Sequence, residues 1–387
     1  MSGLDIAIDE QLAAALRGER GVDPDVLAAP QNSAAVIDRI NYHGISGLLW
    51  GDRAAKSRWH PTIKTHIRDV ALYRTMWELR HREMLQLLLD ELAAAKIIAI
   101  VLKGTALAYD LYTHPGIRER GDSDLLIDPC DLAAARRILA RQGFERLSGD
   151  DAGSEDFRLQ EVWGRSCGGD MAHHIDLHWH LLNAPALAEL FPFAECAQDQ
   201  IALPRLGPNA WAMDRVRTLI HTCIHRTMNF TSPYFVDGQT YYGGDRLIWL
   251  NDIRLLVDSF SPAQWETFCH VASSKGVAAE CLDGLIASQR FLGTPIPHSV
   301  RKSLGAATTT PGPGAYLRSR QLGRAWRDLH AIRGLRRKLS YLRARAFPTR
   351  PFIRDKYPRH AGLPLPMLYA WRMVDLIRPR PTQSHER

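Results

Sequence analysis

The sequence predicts an α+β fold, a small mixed β-sheet with helical N-terminal and C-terminal regions. Three observations predict it. Apolar residues recur at helical spacing over long stretches on both sides of the chain's middle. Short apolar runs of strand type cluster between residues 96 and 205. Helical patterns alternate with those runs, as in a sheet backed by helices.

Residues 1–95 read as a helical N-terminal region. Leu4–Leu16 is amphipathic, and Thr62–Ala95 keeps Ile63, Ile67, Val70, Met76, Leu88 and Leu92 near the helical period. Residues 96–205 form the sheet-bearing core. Here Ile97–Leu102 predicts a strand, Thr105 opens a short helix, Asp122–Ile127 predicts a second strand, and Asp131–Gln142 a helix. Residues 171–180 alternate, with His174, Asp176, His178 and His180 on one face and Ile175, Leu177 and Trp179 on the other. The polar, glycine-dotted stretch Gly149–Gly169 predicts a loop or hairpin.

Residues 206–310 return to helix. Asn209–Thr227 places Val216, Leu219, Ile220 and Ile224 on one stripe, with His221 and His225 four apart. A Gly/Tyr-rich loop, Thr231–Gly244, leads into a helix over Asp245–Phe260, in which Trp249 reads as core. Thr308–Gly314 (TTTPGPG) is the clearest linker. Beyond it, 311–387 form a basic helical extension, with a helix over Tyr316–Phe347, a Pro-rich passage and an amphipathic piece at Met367–Ile377. No internal repeat is present.

Composition narrows the class. An apolar fraction of 45% with 24% charged residues is that of a globular protein, which excludes disordered and fibrous classes. The N-terminus is acidic and mixed, without the basic region and apolar run of a signal peptide. No stretch is apolar over the ~18 residues of a spanning helix. The six cysteines contain no CxxC, which argues against a zinc knuckle or disulfide framework and predicts a reducing, cytoplasmic setting. The net charge of +7 is uneven, because residues 316–360 carry 14 Lys/Arg against two Asp. Such a segment suits an RNA backbone or an anionic membrane surface.

The chemistry concentrates at Asp122-Ser123-Asp124. On a strand these two carboxylates project from one face, where they repel unless a cation lies between them. Mg²⁺ takes oxygen ligands and is held by one or two carboxylates plus substrate phosphates. Ahead of the pair, Lys103-Gly104-Thr105 joins an apolar strand to a helix, so backbone N–H groups point at an anion. Asp176 supplies a third carboxylate, which suits a site for two metal ions. Together these features predict metal-assisted nucleotidyl transfer.

Gly-Thr, then Asp-x-Asp, then a later Asp on a neighbouring strand resembles the DNA polymerase beta-type nucleotidyltransferase superfamily. More narrowly, LKGTALAYDLY, GDSDLLI, IDLHWHL, RLIWLNDIRLL and the ending FPTRPFIRDKYP are similar to a widespread bacterial group assigned only as nucleotidyltransferases. The resemblance covers most of the chain from about residue 60. It implies a nucleotidyltransferase core over 96–205, with Gly104 and Thr105 on the triphosphate, Asp122 and Asp124 on both metals, and Asp176 on the metal that activates the acceptor. Two departures stand out: Gly-Thr replaces the commoner Gly-Ser or Gly-Gly, and the gap from Gly104 to Asp122 is longer than usual.

Other residues have more than one reading. Lys103, Arg118 and Arg120 are either solvated charges or neutralise triphosphate; the arginines also suit steadying the carboxylates. His174, His178 and His180 with Asp176 compose a rival zinc site, while His178 also suits a supporting bond to Asp176. His221 and His225 are either satisfied helix histidines or substrate contacts. Tyr234, Tyr241 and Tyr242 suit an acceptor or base pocket. The expected reaction moves an NMP from an NTP, ATP first, to a small molecule or peptide with Mg²⁺ as cofactor. The rivals are an RNA-directed enzyme using 316–360, a zinc hydrolase, and a binding module without activity.

Overall fold

A computed structural model describes residues 2–19, 24–51, 58–147, 157–166, 172–229, 233–236, 239–242, 244–307, 312–319, 321–347, 353–354, 360 and 362–377. It is mixed α+β, with one seven-stranded mixed sheet and helical regions toward both ends.

The element that organises the site is the helix α1, Pro61–Ala94. Pro61 at its first position and His60, whose ring accepts from the Thr62 N–H, start it. At 34 residues it runs about 50 Å, and its two halves bury different faces. Ile63 and Ile67 join a helical core shared with Ile8, Leu12, Ile40, Leu219, Ile248 and Ile253. Leu85, Leu88, Leu89 and Leu92 instead cover the sheet, packed with Leu125, Ile127, Ile175 and Leu177.

The sheet contains β1 (Ile100–Leu102), β2 (Asp122–Leu126), β3 (Glu145–Arg146), β4 (Gln160–Ser166), β5 (Ala172–His178), β6 (Ile201–Ala202) and β7 (Trp211–Ala212), in the order β3-β4-β5-β2-β1-β7-β6. β2 pairs parallel with β5, setting Asp124 opposite Asp176 and Asp122 opposite His174. β1 pairs antiparallel with β2, setting Leu102 opposite Asp124. The helix α2 (Lys103–Asp110) leaves β1 at that point.

The stretch Gly149–Gly169, predicted as a loop or hairpin, contributes one strand of a hairpin. β4 pairs with β5 along its whole length, Gln160 opposite His178 through Ser166 opposite Ala172. A buried Glu161, held by Arg136, interrupts the apolar pattern that would announce it. Its glycine also has a packing reason, because a Cβ on Gly164 would meet Leu147 Cδ1 at 2.5 Å.

Past the sheet come α3 (Arg215–Asn229), α4 (Leu247–Asp258), α5 (Pro262–Ser274), α6 (Ala278–Leu292) and α7 (His298–Ala307). The Gly/Tyr-rich loop contains a hairpin in which Pro233–Val236 pairs with Gln239–Tyr242; the side chains of Tyr234, Tyr241 and Tyr242 lie outside the described residues. The predicted helix Tyr316–Phe347 is divided. A short helix, Pro313–Leu317, is followed by α8 (Gln321–Ala331) and α9 (Leu335–Ala346), and Gly334, at φ +88°, breaks the last two apart. α10 (Leu365–Ile377) closes the described chain. Among the described residues no helix is long and apolar enough to cross a membrane.

Candidate active site

Three segments meet at the C-terminal end of β1 and the facing parts of β2 and β5. Asp124, Asp176 and His178 each offer a ligand atom, and these atoms lie within 4.8 Å of one another. His178 Nε2 is 2.9 Å from Asp124 Oδ1, and Lys103 Nζ donates to that same oxygen. Asp124 and His178 are buried, Asp176 is half-buried and Asp122 is exposed at the start of β2. Asp122 therefore lies at the rim, outside the group of three. His174 and His180 are outside it too, and His180 Nδ1 is instead 3.2 Å from the Ala188 carbonyl.

The charges are unequally tolerated. Burial would raise the Asp124 carboxyl, but Lys103 and His178 hold it well below the ordinary carboxylate range. At Asp176, burial with the charges of Asp124 and Asp122 outweighs the charge of Lys103 and pushes it up to about 8. Asp122 shifts upward through desolvation and the charge of Asp124, even at the exposed rim. Burial lowers the Lys103 amine, and Asp124, Asp122 and Asp176 more than reverse this. Burial lowers His178 despite its bond to Asp124, which leaves the imidazole neutral.

The turn before α2 is shaped by its neighbours. Lys103 sits at φ +50°, a region sparsely used by residues other than glycine, and this turns the chain from strand to helix. No side chain caps α2, so its first-turn N–H groups retain donor capacity. Gly104 lies against the Arg118 guanidinium, where a Cβ would come within 3.2 Å of it. Thr105 departs from expectation: its hydroxyl is buried, 2.8 Å from Ser123 Oγ and 3.5 Å from the Asp122 carbonyl.

Behind Ser123 the bonds continue. His81 Nε2 is 2.6 Å from Ser123 Oγ, and His81 Nδ1 is 3.1 Å from His173 Nδ1. Burial drives both imidazoles below their ordinary value, so both are neutral. His173 Nε2 is buried without a partner among the described residues. Since an orphaned buried N–H is the rarer case, that nitrogen is assigned the lone pair. Donation then runs from His173 to His81, Ser123, Thr105 and the Asp122 carbonyl. Trp77 stacks on His81 at 4.3 Å and holds its plane. This chain ties α1, β5, β2 and the turn together behind the carboxylates.

Arg118 and Arg120 do not face the open site. Arg118 is buried and grips Asp252 through Nε and Nη2 at 2.9 and 2.7 Å, while Tyr112 donates to the same carboxylate at 2.7 Å. Arg120 is buried against Glu78 at 2.7 Å. Each ion pair thus fixes the segment that leads into β2. The partners Asp252 and Glu78 were missed by sequence reasoning; the signal was an acidic residue inside an apolar helical run, which burial obliges to find a partner.

His221 and His225, on α3, lie near enough to Lys103 and Asp124 to feel their charge. Burial and Lys103 drive His221 well below its ordinary value and His225 down to about 3. His225 Nε2 also accepts from Asn229 at 3.0 Å, with its ring edge-on to Trp249. Both histidines are therefore neutral.

A mixed sheet that sets acidic side chains on adjacent parallel strands, beside an uncapped strand-to-helix turn, belongs to the class of nucleotide-handling transferases. The chain belongs to the uncharacterised nucleotidyltransferase family, whose model matches residues 29–293 and so includes every residue of the site. It is accordingly an enzyme of nucleotidyl transfer. No curated protein matches it.

Proposed function

We propose that this nucleotidyltransferase moves an NMP from an NTP, ATP first, to the hydroxyl of a small molecule or peptide, with Mg²⁺ as its metal and pyrophosphate as the second product. The observation that carries the reading is the pairing of Asp124 with Asp176 across β2 and β5, with Lys103 against them. In this reading residues 96–205 carry the chemistry, 206–310 meet the acceptor, and 311–387 form an extension. Free thiols at Cys130, Cys196, Cys223, Cys269 and Cys281 fit a reducing cytoplasm.

The donor set fits a divalent cation. Asp176 is strained by like charge, and a cation on Asp124, Asp176 and His178 relieves it. When bound, the metal supplies charge neutralisation at the phosphates and lowers the pKa of the acceptor hydroxyl. The remaining roles belong to the chain. The first-turn N–H groups of α2 bind phosphate oxygens, and Lys103 Nζ neutralises charge building on the departing pyrophosphate. Asp176 takes the proton from the acceptor oxygen, which attacks the α-phosphorus in line. Asp122 at the rim accepts from the incoming substrate. Arg118, Arg120, Thr105 and His81 hold these groups in place without touching substrate.

The test is calorimetric titration of each NTP with and without Mg²⁺, repeated on Asp124→Asn. The expected result is Mg²⁺-dependent binding that weakens in the variant by at least the roughly 10–100-fold typical of losing an outer-shell metal partner. Equal binding by both proteins would remove the basis of the proposal. The His178 imidazole favours a second reading, a zinc ion on the same three side chains. Metal analysis of protein purified without chelator separates the two.

A further inference from the structure

Three helices at the C-terminal end keep apolar side chains out of the core. On α9, Leu335, Leu339 and Leu342 are 74%, 57% and 47% exposed. At 100° per residue they fall within about 60° of arc. Arg336 and Arg343 border that stripe on one side, Lys338 and Arg345 on the other, and the helix contains no Asp or Glu. The opposite side is fixed inward, with Tyr341 buried and donating to Asp328 at 3.1 Å. α8 repeats the arrangement with exposed Leu322 and Trp326, and α10 with exposed Met367, Trp371 and Val374 at i, i+4 and i+7. α10 turns Leu368 and Arg372 inward, with Arg372 donating to the Arg345 carbonyl, and Phe347 meets Tyr369 edge-on at 5.5 Å.

Single exposed apolar residues are ordinary on any surface. Exposed apolar stripes on three C-terminal helices, one of them edged by cations on both sides, are not. We propose that the C-terminal unit docks flat on an anionic lipid surface, its leucines and tryptophans entering the acyl boundary while the flanking arginines and lysines meet lipid phosphates. An interfacial helix has this make-up: a polar face rich in Lys/Arg, and Leu and Trp on the other. The absence of a spanning helix among the described residues agrees with a unit that lies on the bilayer.

The charge pattern selects this occupant. The three leucines of α9 give RNA neither a hydrogen bond nor a stacking face, so an RNA partner leaves that stripe unexplained. A second copy laid on the same stripe would set Arg336, Lys338, Arg343 and Arg345 near their equivalents, and like-charge juxtaposition is penalised at interfaces. The unit also lies beyond the residues matched by the family model, which end at 293. One of its attachments is to the segment after β5, where Asp328 accepts from the Ala186 N–H at 3.2 Å. The proposal is independent of which acceptor the enzyme uses.

The test is co-sedimentation of the full chain with vesicles of phosphatidylcholine alone and of phosphatidylcholine with phosphatidylserine. Binding is expected to the second kind only and to fall with salt. Leu339→Glu with Leu342→Glu should abolish it, and Leu335→Ser with Leu339→Ser, a milder pair, should weaken it. Each of Arg336→Ala and Arg343→Ala should weaken it about fivefold. Unchanged melting of these exposed-site variants shows that the fold survives. Equal binding to both vesicle kinds, or to neither, overturns the proposal. So does binding of single-stranded RNA that ignores the leucine variants while vesicles are left in solution. A concentration-dependent dimer dispersed by the leucine variants, without vesicle binding, assigns the stripe to a second copy and equally overturns it.

Discussion

Charged side chains are used in opposite ways beneath the active site and on the C-terminal helices. Beneath the site, Arg118 with Asp252 and Arg120 with Glu78 are buried as ion pairs, and Lys103 is held on Asp124. On α9, Arg336 and Arg343 stand exposed beside a leucine stripe. A buried charge tolerates one arrangement of partners, because desolvation is repaid only in good geometry. An exposed charge commits to no geometry and simply attracts the opposite sign. The first region therefore fixes internal positions, and the second selects what approaches from outside.

The largest effect should come from matched substitutions in the two regions. Arg118→Ala leaves Asp252 buried without its cation and should cost about 3–5 kcal/mol in denaturant unfolding. Arg336→Ala should stay within about 0.5 kcal/mol. Similar losses at the two positions would erase the contrast. Next comes His81→Ala, which leaves the His173 N–H without its acceptor and Ser123 without one of its donors, and should cost about 1–3 kcal/mol, with weaker Mg²⁺–NTP binding. His81→Gln, whose amide N–H can replace Nε2–H, should recover much of both. Recovery of stability without recovery of binding would limit His81 to a packing role.

Asp176 gives a pH signature. Its folded-state value, about 8, lies above the ordinary 3.8, so its contribution is fully present below about pH 4 and is lost as pH rises toward 8. Metal-free protein should lose several degrees of Tm over that range relative to Asp176→Asn, at about 2–4 °C per kcal/mol. Added Mg²⁺ should flatten the difference. Parallel pH profiles of the two proteins without metal would show that Asp176 is not crowded by like charge. Smallest of all, Leu335→Ser should change stability by no more than about 0.5 kcal/mol, because that leucine touches water in the free protein.

Much of the architecture was legible because it is written in local periodicity. The alternation over 172–178 and the apolar frame of Asp122 and Asp124 mark β5 and β2 directly, and the helical period of 61–94 marks α1. β4 stayed open between loop and hairpin because a buried Glu161 breaks its pattern, and that glutamate makes sense only once Arg136 is beside it. β6 and β7, two residues each, are too short for any period to register. In the site, strand alternation exposed Asp124 and Asp176 as candidates. What it hid was pairing at a distance: Arg118 finds Asp252 134 residues away, and His81 finds Ser123 across 42. A histidine in a long helix carries no local sign that its partner is the serine between two candidate carboxylates.

Asp328 carries one further consequence. This single buried carboxylate accepts from the Ala186 N–H, Tyr316 and Tyr341, and has Arg345 at 3.6 Å. It thus gathers the segment after β5, the short helix Pro313–Leu317, α8 and α9 at one point. It does so beside other attachments, Arg318 on Glu280 and the Phe157 ring against Tyr341. A substitution at Asp328 should therefore loosen the angle between these elements while Tyr316 and Leu317 stay anchored in the helical core.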